Sequence, residues 1–219
     1  MVKLIGGIGL STVNIYDQIA AGDNVGSGCA HVHGIAEEAY LGLKGHGAID
    51  LHDLKNGYRR VIITEGTFVQ FPPWTMHRAV NLDNSQVLVI MGEDGLPEAG
   101  DMRIYFGEDI DRDEESYQLW AGKVKTREDA LARRDKSSVA HTELVRLWEQ
   151  DRNAYTSKLE AFFECHRRHI ENTPDLSKFL QEGLPQSEYC QTGTWKYENP
   201  NRHFGLCGVR NPVDHLKPC

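Results

Sequence analysis

The stretch "HVHGIAEEAYLGLKG", His31 to Gly45, decides how this chain is read. Two histidines stand one residue apart, Glu37 and Glu38 follow, and a glycine closes the run. In a β-strand, side chains at i and i+2 point to the same face. His31 and His33 therefore aim at one spot, and two imidazoles aimed at one spot suggest a metal. Two ligands do not make a site, so further donors must come from elsewhere in the chain.

The sequence around this stretch reads as β. "AHVHGI", "EAYLGLKG", "GAIDLHDL", "YRRVIIT", "TFVQF", "HRAVNL" and "QVLVIMG" are short runs rich in Val, Ile, Tyr and Phe, mostly punctuated by Gly, Asp or Asn. Strands recurring at such short intervals predict a sandwich or small barrel, continuing weakly through "MRIYFG". The acidic stretch "GEDIDRDEES", Gly107 to Ser116, then predicts a solvated loop. From Thr126 the pattern turns helical. Leu144, Leu147, Trp148, Tyr155, Leu159 and Phe162 fall on one face at ~100° per residue. Such a stripe is packing surface, which predicts a helix lying on the barrel or on a partner subunit. "TPDLSKFLQEGLP" predicts a second, short helix, with Thr173 as N-cap, Pro174 in its first turn, and Gly183 and Pro185 ending it. From Leu184 onward there is no periodicity, which predicts an irregular tail.

The missing donors should lie on another strand of the same β unit, and "GTFVQFPPWTMHRAVN", Gly66 to Asn81, offers one. Pro72 and Pro73 mark a turn, because proline is excluded from a central strand, and His77 opens the strand that follows. The two segments together resemble the paired motifs of the cupin superfamily. His31, His33, Glu38 and Gly45 match the first motif, whose leading Gly falls on Val25, with Gly26 beside it. Gly66, Pro72, His77 and Asn81 match the second, in which Trp74 replaces an internal Gly. The resemblance implies a mainly β fold: a cupin, or jelly-roll, barrel over residues 1–122. Residues 123–219 would form a C-terminal α-helical extension and tail packed on it. It also implies one divalent metal ion per chain, held by His31, His33, Glu38 and His77. Three neutral nitrogens and one anionic oxygen suit Fe(II), which is favoured, as well as Mn, Ni, Cu or Zn. A six-coordinate ion would keep two positions open, which makes the site catalytic. Glu37 is the neighbouring alternative to Glu38, but parity turns it to the opposite face.

Other residues near the motifs carry two readings each. Cys29 shares the parity of the histidines and is placed on the substrate pocket, or packs as a small hydrophobe. Trp74 narrows the pocket mouth or stacks on substrate, or it fills an apolar gap against the C-terminal helices. Tyr40 and His46 are candidates for catalytic proton transfer. Their alternatives are a barrel-filling aromatic and a solvent-facing histidine, and the same pair of readings applies to His52. Arg78, next to a ligand, points away from the cavity by parity.

Composition limits the partners. A net charge of −8 gives no indication of a nucleic-acid surface. No apolar run approaches the ~20 residues of a membrane span, and "MVKLIGGIGL" does not read as a signal peptide; a cytoplasmic protein is expected. Five cysteines without a CxxC pair predict reduced thiols, although Cys190, Cys207 and Cys219 share the tail with His203 and His215. The functional expectation is a non-haem metal dioxygenase or oxygenase acting on a small organic molecule, as a homodimer. The alternatives are a redox-neutral isomerase, lyase or cyclase, or a small-molecule-binding cupin.

Overall fold

The computed structural model describes residues 7–92, 95–122, 124–182, 191–193, 203–204, 206–212 and 216–218. Two long strands, β4 (Glu38–Asp53) and β7 (Met76–Met91), organise the β part. They run antiparallel from Glu38↔Met91 to His52↔Met76, and the register slips between Gly42 and Gly47. Such irregularities bend a ladder sharply, so one pair of strands serves two half-sheets. In one half, β7 pairs with β2 (Gly26–Ser27) and β3 (His31–His33), and β4 pairs with β5 (Gly57–Ile63). In the other half, β7 pairs with β1 (Gly9–Ile15) and β4 with β6 (Phe68–Phe71). β8 (Met102–Ile104) extends the first half beyond β3. Between the half-sheets lies a core that includes Val13, Tyr40, Ile49, Leu51, Phe71, Val87 and Val89. This is a jelly-roll barrel of the cupin type. The runs read as separate strands on either side of Gly45 and of Asn84 are single bent strands. β1 has no counterpart among the runs picked out from the sequence.

The helical part departs from expectation in three places. The acidic stretch is not a solvated loop but two short helices, α1 (Glu108–Asp111) and α2 (Glu114–Ala121). Asp111 is buried and accepts from the backbone N–H groups of Phe106 and Gly107, which turns the chain inward. The long apolar stripe is carried by two helices, α3 (Arg127–Gln150) and α4 (Arg152–Glu171). Asp151 divides them by capping α4, its carboxylate accepting from Ala154 N–H. Thr126 opens α3 with a reciprocal capping box to Asp129. α5 (Pro174–Glu182) begins at Thr173 as predicted. The tail is not irregular throughout: β11 (Gly208–Pro212) pairs with β1, and β10 (His203–Phe204) with β11. Beyond these, β9 (Gln191–Gly193) pairs with β12 (Leu216–Pro218). Cys207 is buried in the barrel core; Cys190, His215 and Cys219 lie outside the described residues. No helix among the described residues is long and apolar enough to cross a membrane.

The stripe packs on the chain's own barrel. Leu144, Leu147, Tyr155, Leu159, Phe162 and Phe163 cover Ala30, Val32 and Met76, so the face of β3 opposite its histidines is sealed by helices. Trp148 sits over Gly57 at the β4–β5 turn. With φ at 71°, Gly57 occupies a conformation other residues avoid, and a Cβ there would lie 1.9 Å from the indole.

Beside this apolar contact runs a buried polar one. Arg78 does leave the cavity, but it enters the barrel–helix interface rather than solvent, with 1% exposure. It donates to Asp23, Ser27, Ser138 and His141 Nδ1. Because guanidinium only donates, His141 must be neutral with its proton on Nε2. That proton goes to His52 Nε2 at 3.0 Å, and His52 Nδ1–H then donates to Tyr155 Oη at 3.1 Å. His52 is therefore a buried link between β4 and the helices, neither solvent-facing nor beside the metal ligands. Asp50 accepts from Tyr58 and Arg60 and lies 3.8 Å from both Arg78 and His141. Burial, followed by the Arg78 charge, pushes His52 down to about 3 and His141 well below the ordinary range.

The unfolded chain protonates these histidines below pH ~6.5 while the folded chain does not. Stability should therefore fall as pH drops from about 6.5 toward 3, at about 1.4 kcal/mol per pH unit per histidine. Urea unfolding at pH 6.5 and 5 checks this. His52→Gln with His141→Gln should flatten the slope, and a slope equal to the wild type would show that these histidines do not titrate on unfolding.

Candidate metal centre

β3 places His31 directly opposite His77 on β7. Glu38 opens β4, whose first residues pair with the far end of β7. The first half-sheet thus supplies three imidazoles and the second a carboxylate, and the space between the sheets is where they meet. One donor atom from each of His31, His33, Glu38 and His77 lies within 4.8 Å of all the others, and all four residues are buried. His77 Nε2 is 2.8 Å and His33 Nε2 3.5 Å from the same Glu38 oxygen.

The histidine tautomers are set by the backbone. His31 Nδ1 lies 3.1 Å from Cys29 O, and His77 Nδ1 3.2 Å from Thr75 O. A carbonyl only accepts, so each Nδ1 carries the proton and each Nε2 keeps a lone pair turned toward the cluster. His77 Nε2 and that Glu38 oxygen are buried without a hydrogen-bond partner. Orphaned acceptors converging in a buried pocket are costly unless something binds them. Burial alone would raise the Glu38 carboxyl, but the positive charge that His77 and His33 carry when protonated holds it down to about 2. Burial and the two neighbouring imidazoles hold His31 well below its ordinary range, so it is neutral. An anionic oxygen among imidazole nitrogens is a donor set for a divalent transition metal. Glu37 is exposed and hydrogen-bonds Gln70, on the opposite face from Glu38.

Asp101, which the sequence reading did not single out, supports this cluster. It is fully buried and accepts from the N–H groups of Gly34, Ile35 and Ala36, fixing the turn between His33 and Glu38. Its other face lies 3.7 Å from His33 Nδ1. Burial would lower His33, but Asp101 and Glu38 outweigh it and raise it. The legible signal was only that Asp101 directly precedes β8, which pairs with β3.

The cluster borders a cavity of about 250 Å³, lined also by Ser11, Tyr40, Met102, Arg133 and Cys207. Tyr40 is fully buried there, its hydroxyl 3.6 Å from Cys207 Sγ. Burial first, and Cys207 and Glu38 after it, raise the phenol well above its ordinary range. The other sequence candidates are elsewhere. His46 is exposed in the middle of the β4–β7 ladder, because the register slip carries that segment out of the barrel. Cys29 is buried with Ile104, Phe106 and Tyr117 and does not line the cavity, because its short side chain stops in that packing. Trp74 does not narrow the cavity; it packs against Phe163 and His166 of α4. It holds φ at 63°, the conformation suited to the glycine it replaces, and its N–H donates to His33 O.

No family model matches the sequence, and no curated protein matches it. Part of the chain is similar to segments of solved structures. A cupin-2 domain protein from Shewanella frigidimarina is 13% identical over 40% of this chain and 72% of its own, at a TM-score of 0.32. An oxalate oxidase is 19% identical over 39% of this chain and 40% of its own, at 0.31. The WlaRB TDP-quinovose 3,4-ketoisomerase from Campylobacter jejuni is 19% identical over 37% and 61%, at 0.31. This chain thus spans less than two thirds of the oxidase and of the ketoisomerase. The cupin-type fold is read from the chain's own bent barrel and converged donors.

His77→Ala should abolish most metal binding while the barrel stays folded, as read by elemental analysis and circular dichroism. Glu38→Gln should do the same and Glu37→Gln should leave metal content unchanged. Asp101→Asn should weaken metal affinity about 10–100-fold; full retention would show that the His33 contact is incidental.

Proposed function

We propose that this chain is a metal-dependent enzyme acting on a small organic molecule, with His31, His33, Glu38 and His77 holding one divalent ion. The observation that carries the reading is the position of the donors. His31, His33 and Glu38 sit on the wall of a cavity rather than in a closed cage, and a site with room beside the ion is catalytic rather than structural. A cavity of about 250 Å³ lies just below the usual range for drug-sized ligands, so the substrate is small. Ser11 and Tyr40 offer hydroxyls from the walls, while Val13, Val89 and Met102 exclude water from the remainder.

Within that class, an oxygenase is the first reading, with Fe(II) the favoured ion. When bound, the ion would bring substrate oxygens and O2 together and polarise them. The chain's own part is to present neutral Nε2 lone pairs and a carboxylate anion, and to keep a dry wall around the reacting atoms. Tyr40 favours a second reading. A phenol held protonated in the same cavity can keep a proton in place beside a carbonyl, which suits a redox-neutral isomerase, lyase or cyclase. Association as a homodimer and residence in the cytoplasm remain part of the proposal.

Protein purified without oxygen should contain one equivalent of a divalent metal, lost together with activity on chelation and regained on reloading. O2 uptake with a panel of small acids and phenols decides between the readings. Metal-dependent turnover without O2 uptake, reduced by Tyr40→Phe, would favour the redox-neutral enzyme; binding without turnover would leave a binding protein.

A further inference from the structure

Arg133, on α3, is a charged side chain of the cavity wall that metal binding does not use. It is only 9% exposed. Its Nη1 donates to Ala121 O at 3.3 Å, but its Nε is buried without a hydrogen-bond partner. Among the described residues, no carboxylate lies within 4.0 Å of it. The neighbouring Arg134 is the opposite case. It is buried more deeply, at 1% exposure, yet it pairs with Asp135 and donates to the carbonyls of Gln18 and Ser27. Arg78 likewise has Asp23 as its counter-ion. A buried guanidinium without a counter-ion is costly, and helix α3 has carried this one to the cavity that holds the metal donors.

We propose that Arg133 is the anchor for a carboxylate on the substrate, so that the enzyme's substrate is a small organic acid. The proposal rests on the metal-enzyme reading above. Guanidinium presents paired N–H donors that match the two oxygens of a carboxylate, and Arg133 has no carboxylate of the chain's described residues to hold. A divalent ion keeps a positive charge after Glu38 has balanced part of it. Arg133 adds another, so the cavity interior is cationic although the chain as a whole carries −8. Glu98 also borders the cavity, but it is exposed to solvent, where its field is screened. A single guanidinium among Val13, Met102 and Leu206 balances one negative charge, which favours a carboxylate over a phosphate dianion. An acid held there would present the rest of its short chain to the metal donors, since both border one small cavity.

Calorimetric titration of the metal-loaded full chain tests this, using the acids from acetate to succinate, each beside its amide. At least one acid should bind tenfold or more tighter than its amide. Arg133→Gln should lose at least tenfold of that affinity with metal content and melting temperature unchanged, and Arg133→Lys, which keeps the charge but not the fork, should fall between. Amides binding as tightly as every acid, or acids binding Arg133→Gln as tightly as the wild type, would overturn the proposal. If Arg133→Gln does not fold, Arg133→Lys decides: acids binding it as tightly as the wild type would overturn the proposal. Metal analysis of the same samples keeps the two readings apart: a chain that takes up no metal refutes the metal-enzyme reading, whereas a metal-replete wild type that shows no acid preference refutes only the role of Arg133.

Discussion

The site depends on the double pairing of one strand. β7 holds β3 beside its first residues, which sets His31 opposite His77, and it holds the start of β4 beside its last, which delivers Glu38 from the facing half-sheet. Neither contact suffices alone. Without the slip in register between Gly42 and Gly47, β4 and β7 would run as one flat ladder, and Glu38 would remain a strand's length from the imidazoles. The bend converts distance along the ladder into proximity across the barrel. The donors then meet in a buried space where burial keeps His31 neutral and Glu38 is the one carboxylate among three imidazoles.

The helical half is what makes this barrel more than a sheet with an open back. Apolar residues of α3 and α4 seal the outer face of β3, while Arg78, His141, His52 and Tyr155 form a directed chain of donors and acceptors through the same interface. Such a chain is satisfied in only one relative placement of barrel and helix, because each member's donor must meet an acceptor. The apolar contacts supply adhesion and the polar chain supplies register. That register sets where Arg133 arrives, since it lies two turns before His141 on the same helix.

Trp74 shows how the extension has reshaped the barrel. A left-handed backbone is unfavourable for a bulky residue, by roughly 1–3 kcal/mol. The indole recovers contact with Phe163 and His166, which a glycine could not make. Its N–H meanwhile holds His33 O, so the same turn that receives the helix also steadies a ligand strand. Asp101 does the corresponding work on the other side of His33 by gathering three successive N–H groups.

By itself the sequence determined the kind of fold and the four side chains that converge in it. Period-two alternation placed His31 and His33 on one face and turned Glu37 away from Glu38, because strand geometry is local. The proline turn before His77, the onset of helix at Thr126 and the start of α5 after Thr173 were legible for the same reason. What only tertiary structure decided involves partners distant along the chain. Asp151 splits one apolar stripe into two helices because a cap there outweighs continuity of pattern. His46 and His52 sit on one strand with the same parity, yet a register slip exposes the first and an incoming helix buries the second. Cys29 has the parity of the ligands, but its side chain is too short to reach past Ile104 and Phe106 into the cavity. Asp101, Arg133 and Cys207 reach the cavity region from three segments with no motif of their own. Their roles come from burial and from which neighbours are left unpaired, and periodicity along the chain carries neither quantity.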